Sequence, residues 1–154
     1  MRGGVACPTV IWFLRHAEAQ DGSPDSERPL TEKGEEQARA AGAAFRALDL
    51  RVDACVTSPK VRARETARLA CETFGVEPEA DERLAGGPFD PHEVAGERGE
   101  RVLLVGHDPD FSLAVHRMTG AQVRLPKGGV AGVDKGELKL LLRPTELRAL
   151  ARAG

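Results

Sequence analysis

The chain has 154 residues, of which 41% are hydrophobic and 30% charged, with 22 Lys+Arg against 24 Asp+Glu and a net charge of -2. That length predicts one domain spanning 1-154 that buries about two-thirds of its extended-chain surface, with no need of a disulfide or metal to hold it together. The balanced charge and the four per cent aromatic content, with no tyrosine, give no footprint for nucleic acid and no attraction to an anionic membrane.

The first element is a strand. Val10-Ile11-Trp12-Phe13-Leu14 is an unbroken, largely β-branched or aromatic run that meets Arg15-His16 with no turn between them. Without alternation, and too short for a helix, it fits a strand buried on both faces of a parallel sheet. Ligands in such sheets sit outside the carboxyl ends of strands, which puts Arg15 and His16 at the mouth of a site. Pro8, Thr9 and the Arg-His pair interrupt what could pass for a secretory signal, and the run is far short of the ~20 residues of a membrane span. Cys7, Cys55 and Cys71 are widely spaced, odd in number and without a Cys-x-x-Cys pair. They read as reduced thiols of a cytoplasmic protein.

Gln20 to Leu30 is rich in Asp, Ser, Pro and Glu and reads as a surface loop beside that site. Thr31 is the expected cap of a helix to about Leu48, with Ala38, Ala41, Phe45 and Leu48 inward and Gly34 and Gly42 permitting close backbone approach. A second strand is expected at about Asp53 to Thr57. Ser58-Pro59 then reads as the cap and first-turn proline of a helix reaching Phe74, with Ala63, Ala67, Ala70, Cys71 and Phe74 buried. Arg62 falls in its first turn, where the helix dipole disfavours a cation unless an anion lies opposite both.

Gly75 to Glu100 reads as loop with one helical turn near His92 to Ala95. Val102 to Val105 is a third buried strand ending in Gly106-His107-Asp108, followed by a helix to Met118 with Phe111, Ala114, Val115 and Met118 on one face and Gly120 as its stop. Val123 to Leu125, Val130 to Val133 and Leu138 to Leu142 read as a β-meander with a tight turn at Asp134 to Gly136, and a short helix follows Pro144.

Three strand ends thus deliver Arg15 with His16, Ser58 with Arg62, and His107 with Asp108 to one sheet edge. Two histidines and two arginines there suit phosphoryl transfer: an unprotonated imidazole attacks phosphorus while fixed cations hold the equatorial oxygens. Arginine meets phosphate bidentately and keeps its charge. His16 needs one ring nitrogen unprotonated, which a hydrogen bond from the other ring N–H to a backbone carbonyl would secure. His107 serves better protonated, as a donor.

Leu14-Arg15-His16-Ala17-Glu18, Arg28-Pro29-Leu30-Thr31-Glu32-Lys33-Gly34, Ser58-Pro59-Lys60-Val61-Arg62-Ala63 and Val105-Gly106-His107 together resemble the histidine phosphatase superfamily, the phosphoglycerate mutase-like family, and within it the small SixA-type protein-histidine phosphatases. The resemblance runs roughly from Val10 to Leu142. It implies a three-layer α/β/α sandwich around a mostly parallel sheet with an antiparallel C-terminal strand pair. It also implies His16 as a nucleophile that carries a phosphohistidine intermediate, with Arg15, Arg62 and His107 around the phosphate. Ala17 stands where glycine is usual in the family, as it does in some SixA-type members.

The general acid is open between Glu82, which matches the family's variable region only loosely, and Asp108, which also reads as a helix N-cap before Pro109. Arg28 is a further candidate for holding substrate phosphate. His92 and His116 read as a loop histidine and an exposed helix residue, and no His-Glu-x-x-His or Cys-x-x-Cys spacing supports a metal, so no cofactor is expected. The expected activity is removal of phosphate from phosphohistidine in a signalling or phosphotransfer protein, because a chain of this size lacks the insertions that cover the pocket in the family's mutases and bisphosphatases. The alternatives are a phosphomonoesterase acting on a small phosphate ester by the same mechanism, and a phosphate-binding module without turnover.

Overall fold

In the computed structural model, which describes residues 8–153, a six-stranded sheet runs through the molecule in the order β3-β2-β4-β1-β5-β6. Cys7 lies outside the described residues. The strands are β1 (Val10–Arg15), β2 (Ala54–Thr57), β3 (Glu79–Ala80), β4 (Arg101–Gly106), β5 (Val130–Asp134) and β6 (Glu137–Leu142), and the helices are α1 (Glu32–Ala47), α2 (Val61–Cys71), α3 (Pro91–Ala95), α4 (Asp110–Thr119) and α5 (Pro144–Ala153). β1, β2, β3 and β4 are mutually parallel, while β5 joins β1 and β6 joins β5 antiparallel. This is the α/β/α sandwich with an antiparallel C-terminal pair expected from the sequence.

Alternate residues of β1 divide the core. Ile11 and Phe13 face one layer with Val94 of α3 and Phe111, Ala114 and Val115 of α4. Trp12 and Leu14 face the other, with Ala41 and Phe45 of α1, Ala63 and Ala67 of α2 and Leu147 of α5. A strand flanked by helices on both sides has no solvent face to mark with a polar residue, which is why β1 and β4 read as continuous apolar runs. Aromatic edges lock each layer, Trp12 against Phe45 and Phe13 against Phe111, both at 5.2 Å.

Thr31 caps α1 by accepting from the Gly34 amide at 2.9 Å. Gly34 and Gly42 are there for closeness: a Cβ at Gly34 would stand 2.0 Å from the Glu18 carbonyl oxygen, and one at Gly42 2.5 Å from that of Ala70. The first of these contacts seats α1 directly against the segment that follows His16.

Four expectations need correction. Leu48 lies past the end of α1 and is 37% exposed. α2 begins at Val61, not at Pro59: Lys60 is extended and stands at the N-cap, and the Ser58 hydroxyl accepts from the Lys60 amide at 3.2 Å, ahead of the helix. It ends at Cys71, where the amides of Phe74 and Gly75 turn back onto the Cys71 carbonyl, although Phe74 still packs on Phe45. Val123 to Leu125 is not a strand. Its last residue is held by side chains instead, the Leu125 amide donating to Ser112 Oγ and its carbonyl accepting from Arg15. Finally, the Gly75 to Glu100 stretch contributes a two-residue edge strand, β3, too short to leave a periodic pattern.

Candidate active site

Because β1, β2 and β4 are parallel neighbours, their carboxyl ends bring His16, Ser58 and His107 to one edge of the sheet. The end of β1 is fixed on two sides. The His16 amide donates to the Gly106 carbonyl at 2.8 Å, and the Gly128 amide donates to the carbonyls of Arg15 and His16. Thr66, one turn after Arg62 on α2, donates its hydroxyl to the Arg62 carbonyl at 2.7 Å and accepts from the Ala17 amide at 3.0 Å. That single hydroxyl ties the segment after β1 to the start of α2.

His16 is buried, with 5% of its surface exposed. Its Nδ1 lies 2.7 Å from the Ala17 carbonyl oxygen, to which it donates, leaving Nε2 as the unprotonated ring nitrogen. Burial pushes its pKa from the ordinary 6.5 down to about 4; the Ala17 hydrogen bond opposes that, while the charges of Arg62, Arg15 and Lys127 add to it.

The His107 ring stands 5.2 Å from that of His16, centroid to centroid, and its Nε2 shares a 2.8 Å hydrogen bond with Ser58 Oγ. Its pKa falls to about 3, again chiefly by burial, with His16, Arg62 and Lys60 contributing and Asp25 opposing. The sequence suggests a protonated His107, whereas its surroundings in the structure favour the neutral ring. The reason is that its cationic neighbours and the loss of water both disfavour a second positive charge.

The arginines are half-engaged. Arg15 donates from one terminal nitrogen to the Leu125 carbonyl at 2.9 Å. Arg62 donates from both terminal nitrogens to Asp25, to its carbonyl at 2.8 Å and to Oδ2 at 3.1 Å. The Nε atoms of Arg15 and Arg62 are buried and meet no hydrogen-bond partner among the described residues. A buried donor without an acceptor costs about 1–3 kcal/mol, more when charged, a cost that an anionic ligand would relieve. Arg28 is brought to the rim of the site through Asp25, its Nε 3.3 Å from Oδ1.

The two candidate acids are placed differently. Asp108 follows β4 directly, but its carboxylate is occupied by α4, accepting from the Ser112 amide at 2.9 Å and the Ser112 hydroxyl at 2.8 Å. It caps that helix from the position just before the N-cap residue, Pro109. Glu82 is exposed in a 3-10 turn, Glu82–Leu84, past the end of β3. With β3 three strand spacings from β1, that turn leaves the sheet roughly 14 Å to the side of His16. His92 and His116 are both exposed and lie outside the constellation, His92 at the start of α3 and His116 against the Ala121 carbonyl.

A cavity of ≈ 440 Å³ opens beside Arg15, with Asp108, Leu113, Val123 and Arg124 in its wall. Sequence reasoning found the histidines and arginines by their junction with apolar runs. It missed Asp25, Thr66 and Lys127, whose polar loop or helix settings look like any solvated position.

Comparison with known proteins identifies the family. Residues 11–93 match the model of the histidine phosphatase superfamily, branch 1. An uncharacterised protein of Picosynechococcus is 32% identical over 144 residues, covering 84% of this chain and 87% of that one. Among solved structures, the fold is similar to the protein histidine phosphatase SixA complexed with tungstate, with a TM-score of 0.76 at 19% identity over 90% of this chain and 99% of that one. It is similar too to the alpha-ribazole phosphatase of Shigella flexneri, with a TM-score of 0.68 at 18% identity over 88% and 96% of the two chains. The chain belongs to the histidine phosphatase superfamily, branch 1, and is an enzyme with phosphatase activity.

Proposed function

We propose that the enzyme removes phosphate from phosphohistidine displayed on another protein, through a covalent intermediate on His16. The observation that carries this reading is the pairing of an unprotonated, buried His16 Nε2 with two buried arginine Nε–H donors that lack an acceptor. On this reading the nucleophile and the oxyanion donors are preorganised.

In the first step His16 Nε2 attacks phosphorus, the bond from phosphorus to the leaving nitrogen breaks as the new N–P bond forms, and the departing imidazole keeps or takes up a proton. Arg15, Arg62 and His107 hold the phosphoryl oxygens as their charge redistributes. In the second step water attacks the phosphorus on His16, giving inorganic phosphate and restoring the free imidazole. Neither step demands a strong acid, since a protonated imidazole is a good leaving group. That matches the placement of the carboxylates, with Asp108 spent on α4 and Glu82 to the side.

The fold shared with a ribazole phosphatase supports a second reading, in which a small phosphate ester is the substrate and a carboxylate at the rim protonates its oxygen. One experiment tests the mechanism and a second the substrate. The enzyme is incubated with an aryl phosphate and quenched, and an acid-labile, alkali-stable phosphate is sought on His16; its absence would overturn the covalent mechanism. Turnover is then compared between a phosphohistidine-bearing phosphotransfer protein and small phosphate esters. Brisk turnover of the esters with an inert response to the protein would replace the first reading by the second. A phosphate-binding module without turnover would show neither.

A further inference from the structure

Asp25 stands in the loop between β1 and α1, in a 3-10 turn at Asp25–Glu27. It gathers three cations. Besides the two hydrogen bonds from Arg62, its carboxylate lies 3.7 Å from Lys60 Nζ and 3.3 Å from Arg28 Nε. Its side chain is 62% exposed whereas that of Arg62 is 7% exposed, so the contact is not a core pair. It is a surface carboxylate reaching in to a buried guanidinium.

The geometry has a specific consequence for Arg62. A guanidinium is planar, and gripping both terminal nitrogens from one residue fixes the plane and therefore the direction of the remaining N–H groups. Of the three N–H groups that remain, Nε–H is buried with no partner among the described residues. Asp25 cannot itself be the missing proton donor. The hydrogen bond from Arg62 holds its carboxyl below the usual carboxylate range, with the charges of Arg62, Arg28 and Lys60 acting the same way, so it is ionised wherever the enzyme works.

We propose that Asp25 is a positioning residue for phosphoryl transfer, holding the Arg62 guanidinium by its carbonyl and carboxylate so that Nε–H is presented to the phosphoryl group. This rests on Arg62 being a phosphate-holding residue, as proposed above. Asp25 acts in two opposed ways. Its grip favours the transition state, where the aim of the donor matters most, while its negative charge repels the phosphate dianion in the ground state. Removing it therefore separates turnover from binding, which a residue that only held the loop together would not do.

The test is a set of variants assayed with an aryl phosphate, with inorganic phosphate as competitive inhibitor. Asp25→Ala is expected to lose roughly tenfold to thirtyfold in kcat while KM and the inhibition constant for phosphate stay level or fall, and Tm is expected to hold because the side chain is exposed. Asp25→Asn keeps an accepting oxygen and should fall between the two, and Asp25→Glu should recover part of the loss. In an Arg62→Ala background the further change Asp25→Ala should cost no more kcat, since its grip acts on turnover only through Arg62. The proposal is overturned if Asp25→Ala has wild-type kcat, if its effect is a rise in KM alone, or if it costs as much with Arg62 absent as with it present. Wild-type activity in Arg62→Ala itself would instead bring down the underlying reading of the site, and the proposal with it.

Discussion

The imidazoles of His16 and His107 face each other at 5.2 Å with their planes tilted by 57°, and burial keeps both uncharged at neutral pH, with pKa values pushed down to about 4 and about 3. His16 is among the neighbours that lower the pKa of His107. A proton on His16 would meet the charges of Arg62, Arg15 and Lys127, and one on His107 those of Arg62 and Lys60, in a site with little water.

This relationship sets the acid limit of the enzyme. The limb of kcat/KM, which reports groups in the free enzyme, should fall near pH 4 with an aryl phosphate and not near the ordinary histidine value of 6.5. Stability follows the same groups. The unfolded chain takes up protons on both histidines below about pH 6.5 and the folded form does not, so stability is flat above that pH and declines as pH drops toward 4, by on the order of a few kcal/mol. Urea titrations at pH 7 and pH 5 would measure it; equal midpoints would mean the rings are not buried neutral.

Arg62→Lys should lower kcat/KM by roughly a hundredfold, because an ammonium is one point charge and cannot both bond Asp25 twice and keep a fixed third donor. His16→Ala should abolish the trapped phosphate altogether. A lysine variant with activity within threefold of wild type would show that charge alone suffices at this position, and steady-state kinetics with a phosphohistidine protein decide it.

Glu82→Gln and Asp108→Asn should each retain most activity on phosphohistidine, and Asp108→Ala should cost about 1 kcal/mol of stability through loss of its bonds to Ser112. A loss of ~1000-fold in either isosteric variant would identify that carboxyl as the general acid, since acid catalysis contributes about 10²–10⁴. Thermal unfolding and turnover are read on the same samples.

Gly34→Ala places a methyl 2.0 Å from the Glu18 carbonyl oxygen, and backbone cannot yield as a side-chain tip can. The expected cost is roughly 2–3 kcal/mol, or about 5–10 °C in Tm. Since Glu18 lies two residues from His16, turnover should fall even in the folded fraction. A variant with the wild-type Tm would mean that α1 can withdraw from the segment after β1 at no cost.

Much of the architecture is local in origin. The apolar runs at Val10 to Leu14 and Val102 to Val105, the Thr31 cap, and the glycines at positions 34 and 42 each specify their own surroundings through burial, hydrogen bonding or the absence of a side chain, so the sequence by itself determined the layered fold and placed His16, Arg15, Arg62 and His107 at strand or helix ends. The periodic signal failed where few residues carry it, as in two-residue β3, or where side chains replace strand pairing, as at Val123 to Leu125. Only the tertiary structure decided how the site is charged and aimed. The neutral state of His107 depends on burial and on His16, Arg62 and Lys60, brought together from after β1 and around the start of α2, the engagement of Asp108 depends on where Ser112 falls on α4, and the grip on Arg62 joins residues thirty-seven positions apart. Such terms are set by distance through space and by loss of water, neither of which spacing along a chain encodes.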